Sequence, residues 1–191
     1  MDHHQTIYDA AQIDQLRDRL DKPIVLVGMM GVGKSSVGKR LAALLHFDFA
    51  DADDEIELAA KMTIPEIFAT HGEAYFRDGE RRVIARMLSE NGTGKVIATG
   101  GGAFCNAETR QLILDKAIAV WLDSDVDTLV ERTARKPHRP LLQQGNPRET
   151  LERLRNQRRP DYEQAPIHVM SRDGPHSETL NNILKGVDEW L

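Results

Sequence analysis

The sequence predicts an α/β fold with a parallel sheet, and three observations carry that prediction. Short apolar runs of strand length recur along the 191 residues. Segments with a helical apolar period separate them, an alternation that builds helices onto a sheet. A glycine-rich loop joins the first run to the first of those segments, the order that a strand–loop–helix phosphate site requires.

The runs are "PIVLVG" (23–28), "FDFAD" (47–51), "KVIAT" (95–99), "AIAVWL" (117–122) and "IHVMS" (167–171). Several lack polar alternation, as strands covered on both faces do. After the first, Val37, Leu41, Leu44 and Leu45 fall at i, i+4, i+7 and i+8 and predict a core-facing helix. Thr63 and Glu66 form a capping-box pattern that starts a short helix through Ile67 and Phe68. Phe76, Val83, Ile84, Met87 and Leu88 make a further stripe, and Leu180, Ile183, Leu184 and Val187 mark a C-terminal helix. Residues 1–22 lie outside the alternation, with a modest stripe at Ile13, Leu16 and Leu20. They read as an N-terminal extension that packs on the domain or on a neighbour, leaving 23–191 as one domain. No internal repeat or low-complexity stretch interrupts it.

A chain of this length buries roughly 70% of its unfolded surface, enough for a real core. Its 40% hydrophobic and 29% charged content excludes a disordered chain, and no apolar run approaches a membrane span. The start "MDHHQTIYDAAQ" lacks the features of a secretory signal, so a cytoplasmic address is expected. A single cysteine, Cys105, agrees with a reducing compartment. The net charge of −5 argues against broad nucleic-acid binding. Residues 132–159 nevertheless hold nine Lys or Arg against two acids, leaving 16 basic and 28 acidic residues elsewhere. That basic segment is either a solvated helix face or a trap for a small polyanion.

Gly28, Gly33, Lys34 and Ser35 satisfy G-x-x-x-x-G-K-[ST] between a strand and a helix. Glycines let backbone N–H groups converge on phosphate oxygens, and the helix adds its N-terminal donors and positive dipole end. Lys34 would reach the β- and γ-phosphates, and the Ser35 hydroxyl would ligate Mg²⁺, an ion that takes hard oxygen donors. A dinucleotide fingerprint is excluded, because Ser36 stands where its third glycine would fall. The loop reads as a cradle for a nucleoside triphosphate, which makes the fold that of a P-loop NTPase.

Ligand groups in such a sheet belong at the carboxyl ends of the strands, where three clusters qualify. Asp51 and Asp53 follow the second run; in extended chain both would face one cleft, or Asp53 or Asp54 would cap the next helix. Gly100, Gly101 and Gly102 follow the third run and permit either a ligand's approach or a tight turn. The basic segment contains Pro137 and Pro140, which prevent one helix and predict a loop carrying Arg139, able to close over the triphosphate.

Taken together, "GMMGVGKSS", "DAD" followed by "DEIE", "IPEIFATHGEAYFRDGE", "TGGGA", "RPLL" and "RRPDY" resemble the shikimate kinase family in order and spacing, over about residues 22–190. The resemblance implies a nucleoside-monophosphate-kinase-like three-layer α/β/α fold with a five-stranded parallel sheet and a lid at about 132–150. It implies Mg-ATP-dependent phosphorylation of the shikimate 3-hydroxyl, a step towards chorismate and the aromatic amino acids. ATP and shikimate are the implied partners, Mg²⁺ the cofactor, and a monomer is expected.

By the same resemblance, Gly31, Val32, Gly33, Lys34, Ser35 and Ser36 wrap the ATP phosphates, and Ser35 with Asp51 holds the metal. Arg139 is the lid arginine that meets the phosphates, and Arg132 lies against adenine. Asp53 binds acceptor hydroxyls, Arg77 and Arg158 hold the shikimate carboxylate, and Gly101 offers its backbone to the same substrate. Glu80 orients Arg77. Two positions depart from the family pattern: Asp161 stands where leucine is usual, and Arg159 offers a second guanidinium beside Arg158.

The set is chemically coherent, since a polyhydroxy acid needs a cation fork for its carboxylate and acceptors for its hydroxyls. Phosphoryl transfer relies on positioning and charge neutralisation, the work assigned to Lys34, Mg²⁺ and Arg139. With an ordinary pKa of about 3.9, Asp53 would orient the hydroxyl and accept its proton late. A gluconate or nucleoside monophosphate kinase would share the loop and lid without calling for Asp53, Arg77 and Arg158 together. A nucleotide switch would bind without acceptor-dependent ADP release, and RNA binding through 132–159 would depend steeply on salt.

Overall fold

In the computed structural model, which describes residues 8–90, 94–135, 145–172 and 174–191, five strands form one parallel sheet. They are β1 (Ile24–Val27), β2 (Asp48–Asp51), β3 (Lys95–Ala98), β4 (Ile118–Asp123) and β5 (Ile167–Met170), in the order β2-β3-β1-β4-β5. β1 and β4 are buried at every residue, which is why their runs show no alternation. β5 lies at the edge, with Ile167 and Val169 inward and His168 and Met170 outward. The register sets Leu26 beside Ala98 on one side and Val120 on the other. β1, β3 and β4 therefore end side by side, and the chain leaves β1 for neighbours on both sides. That is the switch point at which such sheets bind ligands.

Among the described residues eight helices surround the sheet: α1 (Ala10–Arg19), α2 (Lys34–Leu45), α3 (Ala52–Ala60), α4 (Ile64–Ser89), α5 (Ala107–Lys116), α6 (Val126–Ala134), α7 (Pro147–Tyr162) and α8 (His176–Trp190). α2 and α8 pack on the sheet and on each other, while α5 packs on β4 and on α4, giving three layers. Among the described residues no helix is long and apolar enough to cross a membrane.

α2 buries Val37, Leu41 and Leu45 with Gly38 and Ala42, but Leu44 is 37% exposed and does not face the core as expected. The buried stripe runs 34, 37, 38, 41, 42, 45, so Ala42 holds the place beside Leu41 and Leu44 turns outward. The short helix expected from Thr63 is present with its capping box, and it ends at Gly72, whose non-helical φ of +80° separates it from the second helical stretch of α4, which carries the next stripe and runs to Ser89. Asp51, rather than Asp53 or Asp54, caps α3.

Before β1, Asp9 and Gln12 form a capping box on α1, and Leu16 and Leu20 are buried. Tyr8 Oη donates to Asp188 Oδ2 at 2.9 Å, and Arg19 also pairs with Asp188, so this helix is fastened to α8.

β1 turns into its loop at Gly28, whose φ is +137°. A Cβ there would stand 2.2 Å from the Leu122 carbonyl oxygen of β4. Gly28→Ala is therefore expected to cost about 3 kcal/mol or more and to lower Tm by about 6–12 °C. An unchanged melting curve would show that the loop does not depend on this close approach.

Candidate active site

The loop from β1 to α2 delivers its lysine inward. Lys34 is buried, and its Nζ donates to the carbonyls of Gly28 at 2.7 Å and Met29 at 2.9 Å. Gly31 and Gly33 both have positive φ, and Gly33 is the N-cap of α2 with no side-chain cap bond. The first-turn N–H groups of Lys34, Ser35 and Ser36 thus lie at an uncapped, positive helix end suited to phosphate. Val32 is buried, and its N–H bonds to the Met29 carbonyl at 3.3 Å.

Ser35 Oγ donates to Asp51 Oδ2 at 2.5 Å, and Asp51 Oδ1 accepts the Asp53 N–H at 3.1 Å. The pair fits Mg²⁺: it supplies two hard oxygens beside a phosphate loop, and this ion commonly takes its other positions from water and substrate phosphates. Asp51 ends β2 and Asp53 lies in the first turn of α3, so a helix start rather than extended chain brings the two carboxylates together. Burial first, then repulsion from Asp51, Glu80 and Asp54, raises the Asp53 pKa to about 6 against the pull of Lys34. That corrects the expectation of an ordinary aspartate; the group is poised near neutrality to accept a proton.

Across the crevice, β3 runs into Gly100–Gly102. A Cβ on Gly100 would sit 2.9 Å from both Asp53 Oδ1 and Glu80 Oε1. One on Gly102 would sit 2.6 Å from Arg77 Nη2, and one on Gly101 would sit 3.1 Å from Met30 N and 3.3 Å from Arg158 Nη1. The glycines thus do more than turn the chain: they admit charged groups to the backbone. Arg77 Nη1 donates to Glu80 Oε2 at 2.8 Å, and Glu80 is 2% exposed. Burial raises the Glu80 pKa, opposed by Arg77 and Arg158. Arg158 Nη1 donates to the Gly101 carbonyl at 3.1 Å.

Both sequence departures acquire partners away from the crevice. Arg159 is exposed and pairs with Glu163 at 2.7 Å, so it does not compete with Arg158. Asp161 meets Arg110 Nη1 at 3.0 Å, and the same nitrogen bonds the Phe104 carbonyl at 2.9 Å, tying α7 to the 3-10 turn at Ala103–Cys105. Arg132, expected against adenine, bridges the phosphate loop to the segment after β5. Its Nη1 reaches the Val32 carbonyl at 3.0 Å and Ser171 Oγ at 3.2 Å, and its Nη2 reaches the Arg172 carbonyl at 2.9 Å. Arg139, Pro137 and Pro140 lie outside the described residues; the flanks of the expected lid are the ends of α6 and α7.

Residues 30–188 match the family model described as "Shikimate kinase". The chain belongs to the shikimate kinase family. It is 60% identical to a shikimate kinase of Novosphingobium aromaticivorans, covering all of both chains. A shikimate kinase of Rhodopseudomonas palustris is 52% identical over 90% of this chain and 83% of its own. A solved shikimate kinase from Acinetobacter baumannii, in complex with shikimate, superposes with a TM-score of 0.84 at 36% identity, covering 95% of this chain and 98% of that one.

Sequence reading missed Tyr162, which is buried and donates its hydroxyl to the Gly101 carbonyl that also accepts Arg158. Its position four residues after Arg158 on one helix was the available signal.

The raised Asp53 pKa carries a stability consequence. A carboxyl with a folded pKa of about 6 favours the fold most when protonated; that contribution is full below about pH 4 and is lost as pH rises through 6. Asp53→Asn is thus expected to stabilise the ligand-free protein at pH 8 by on the order of 2 kcal/mol, the gain vanishing near pH 4. Equal melting temperatures of variant and wild type at pH 8 would contradict this electrostatic reading.

Proposed function

We propose that this protein transfers the γ-phosphoryl group of ATP to the 3-hydroxyl of shikimate, giving shikimate 3-phosphate and ADP. The observation that carries the reading is the convergence of two arginines and an aspartate on one glycine loop beside the phosphate loop. Arg77 and Arg158 approach Gly102 and Gly101, and Asp53 approaches Gly100. Guanidinium forks match a carboxylate with two parallel bonds, while a carboxylate accepts from hydroxyls.

ATP phosphates would take the α2 N-terminus, and Lys34 Nζ would exchange the carbonyls of Gly28 and Met29 for phosphate oxygens. Mg²⁺, held by Ser35 Oγ and the Asp51 carboxylate, would neutralise phosphate charge. Arg139 would cover the transferring group from the lid, and Arg132 would border the adenine side. Arg77, steadied by Glu80, and Arg158 fix the acceptor through its carboxylate, which aims the hydroxyl at the terminal phosphorus. Asp53 orients that hydroxyl and takes its proton, a role its raised pKa favours near neutrality. Positioning and charge neutralisation supply most of the rate in such a transfer. One chain supplies every group named, so a monomer suffices.

The test is coupled ADP release with shikimate, gluconate and nucleoside monophosphates as acceptors, on wild type and Arg158→Ala. Shikimate alone should support rapid turnover. The variant should show a shikimate KM raised about 100-fold with the ATP KM little changed. Preference for another acceptor would refute the reading, and a change confined to the ATP KM would remove Arg158 from the acceptor site.

A further inference from the structure

Arg158 reaches the glycine loop from α7, and a part-buried ion pair ties that helix to β4. Asp123, the last residue of β4, is 4% exposed. Its Oδ2 accepts from Arg155 Nη2 at 2.8 Å and its Oδ1 from Arg155 Nε at 3.1 Å, a two-bond fork. Asp123 Oδ1 also accepts the Ser124 N–H at 2.8 Å, and His168 Nε2 of β5 stands 3.7 Å from Oδ2. The carboxylate is thereby held from its own strand and borders the edge strand as well.

Arg155 precedes Arg158 by three residues, so the two side chains leave neighbouring positions on one side of α7. Four residues after Arg158, the Tyr162 ring stacks on Trp121 with centroids 5.9 Å apart. Trp121 and Asp123 are two residues apart on β4 and point to the same side. Arg158 therefore hangs between two fastenings to one fully buried strand, one about a turn before it and one about a turn after. Stacking tolerates sliding, whereas a guanidinium fork admits one geometry.

We propose that Asp123 and Arg155 are positioning residues for the acceptor carboxylate: their fork sets α7 so that the Arg158 guanidinium meets Gly101 where that carboxylate binds. The inference rests on the shikimate reading above. Neither residue touches the acceptor, because Arg155 is engaged through two nitrogens by Asp123.

A merely structural ion pair can be replaced by apolar groups of similar volume with little loss of stability, and this separates the two roles. Kinetics and melting are measured on wild type, on Arg155→Lys, which keeps the charge but loses the fork, and on the double variant Asp123→Leu/Arg155→Met. Since small misplacements are costly in such sites, both variants should raise the shikimate KM about tenfold or more, with the ATP KM within about twofold of wild type. The double variant should melt near the wild-type temperature. An unchanged shikimate KM, or both KM values rising together, would overturn the proposal. If the double variant does not fold, Arg155→Lys decides on the same ratio of KM values. A wild-type enzyme inactive on shikimate would instead refute the functional reading on which the proposal rests.

Discussion

Where β3 ends, three glycines bring bare main chain against four charged side chains, and the geometry of the acceptor side follows from that approach. Asp53 and Glu80 crowd Gly100 and Arg77 crowds Gly102, so that a Cβ at either would displace those charged ends, while Met30 N and Arg158 stand close to Gly101. The Gly101 carbonyl accepts both Arg158 and Tyr162, so the loop after β3 and the helix α7 share one oxygen. Met30 N of the phosphate loop borders the same glycine. A side chain on this stretch would force these charged groups to shift.

The charges that gather there oppose one another in a pattern suited to binding. Asp51, Asp53 and Glu80 stand close to Lys34, Arg77 and Arg158, and partial burial strengthens each interaction. Arg77 is braced by Glu80 and so holds a defined position. Such preorganisation lowers the reorganisation needed when anionic groups enter. Its cost appears at Asp53, whose charged form is disfavoured in the folded protein. Proteins commonly carry strain of this sort at functional sites.

Much of this was legible in the sequence because its signals are local. The phosphate loop reveals itself by glycine spacing between a strand and a helix; four of the five strands lie within the apolar runs that announced them, and β4 runs one residue further, to Asp123. Helices α5 and α6 escaped notice for opposite reasons. The apolar residues Leu112, Ile113 and Leu114 of α5 are consecutive and give no stripe, and α6 is short. Both were marked by N-caps: Asn106 accepts from Thr109 N and Asp125 from Thr128 N. The sequence could not show Asp123 with Arg155, separated by 32 residues, nor Arg110 with Asp161, because such pairs exist only once the sheet and α7 meet. The proton affinity of Asp53 was equally hidden, being a property of burial and of neighbours brought in from α4.

On the proposed reading, Arg158 and Arg77 grip a carboxylate of the acceptor at the glycine loop. Titration calorimetry comparing shikimate with its methyl ester tests it most directly, since the ester keeps the ring and hydroxyls and loses only the charge. The ester should bind at least about 100-fold more weakly, the loss expected when buried guanidinium groups are left without their anion. Equal affinity for acid and ester would show that the two arginines do not hold that carboxylate.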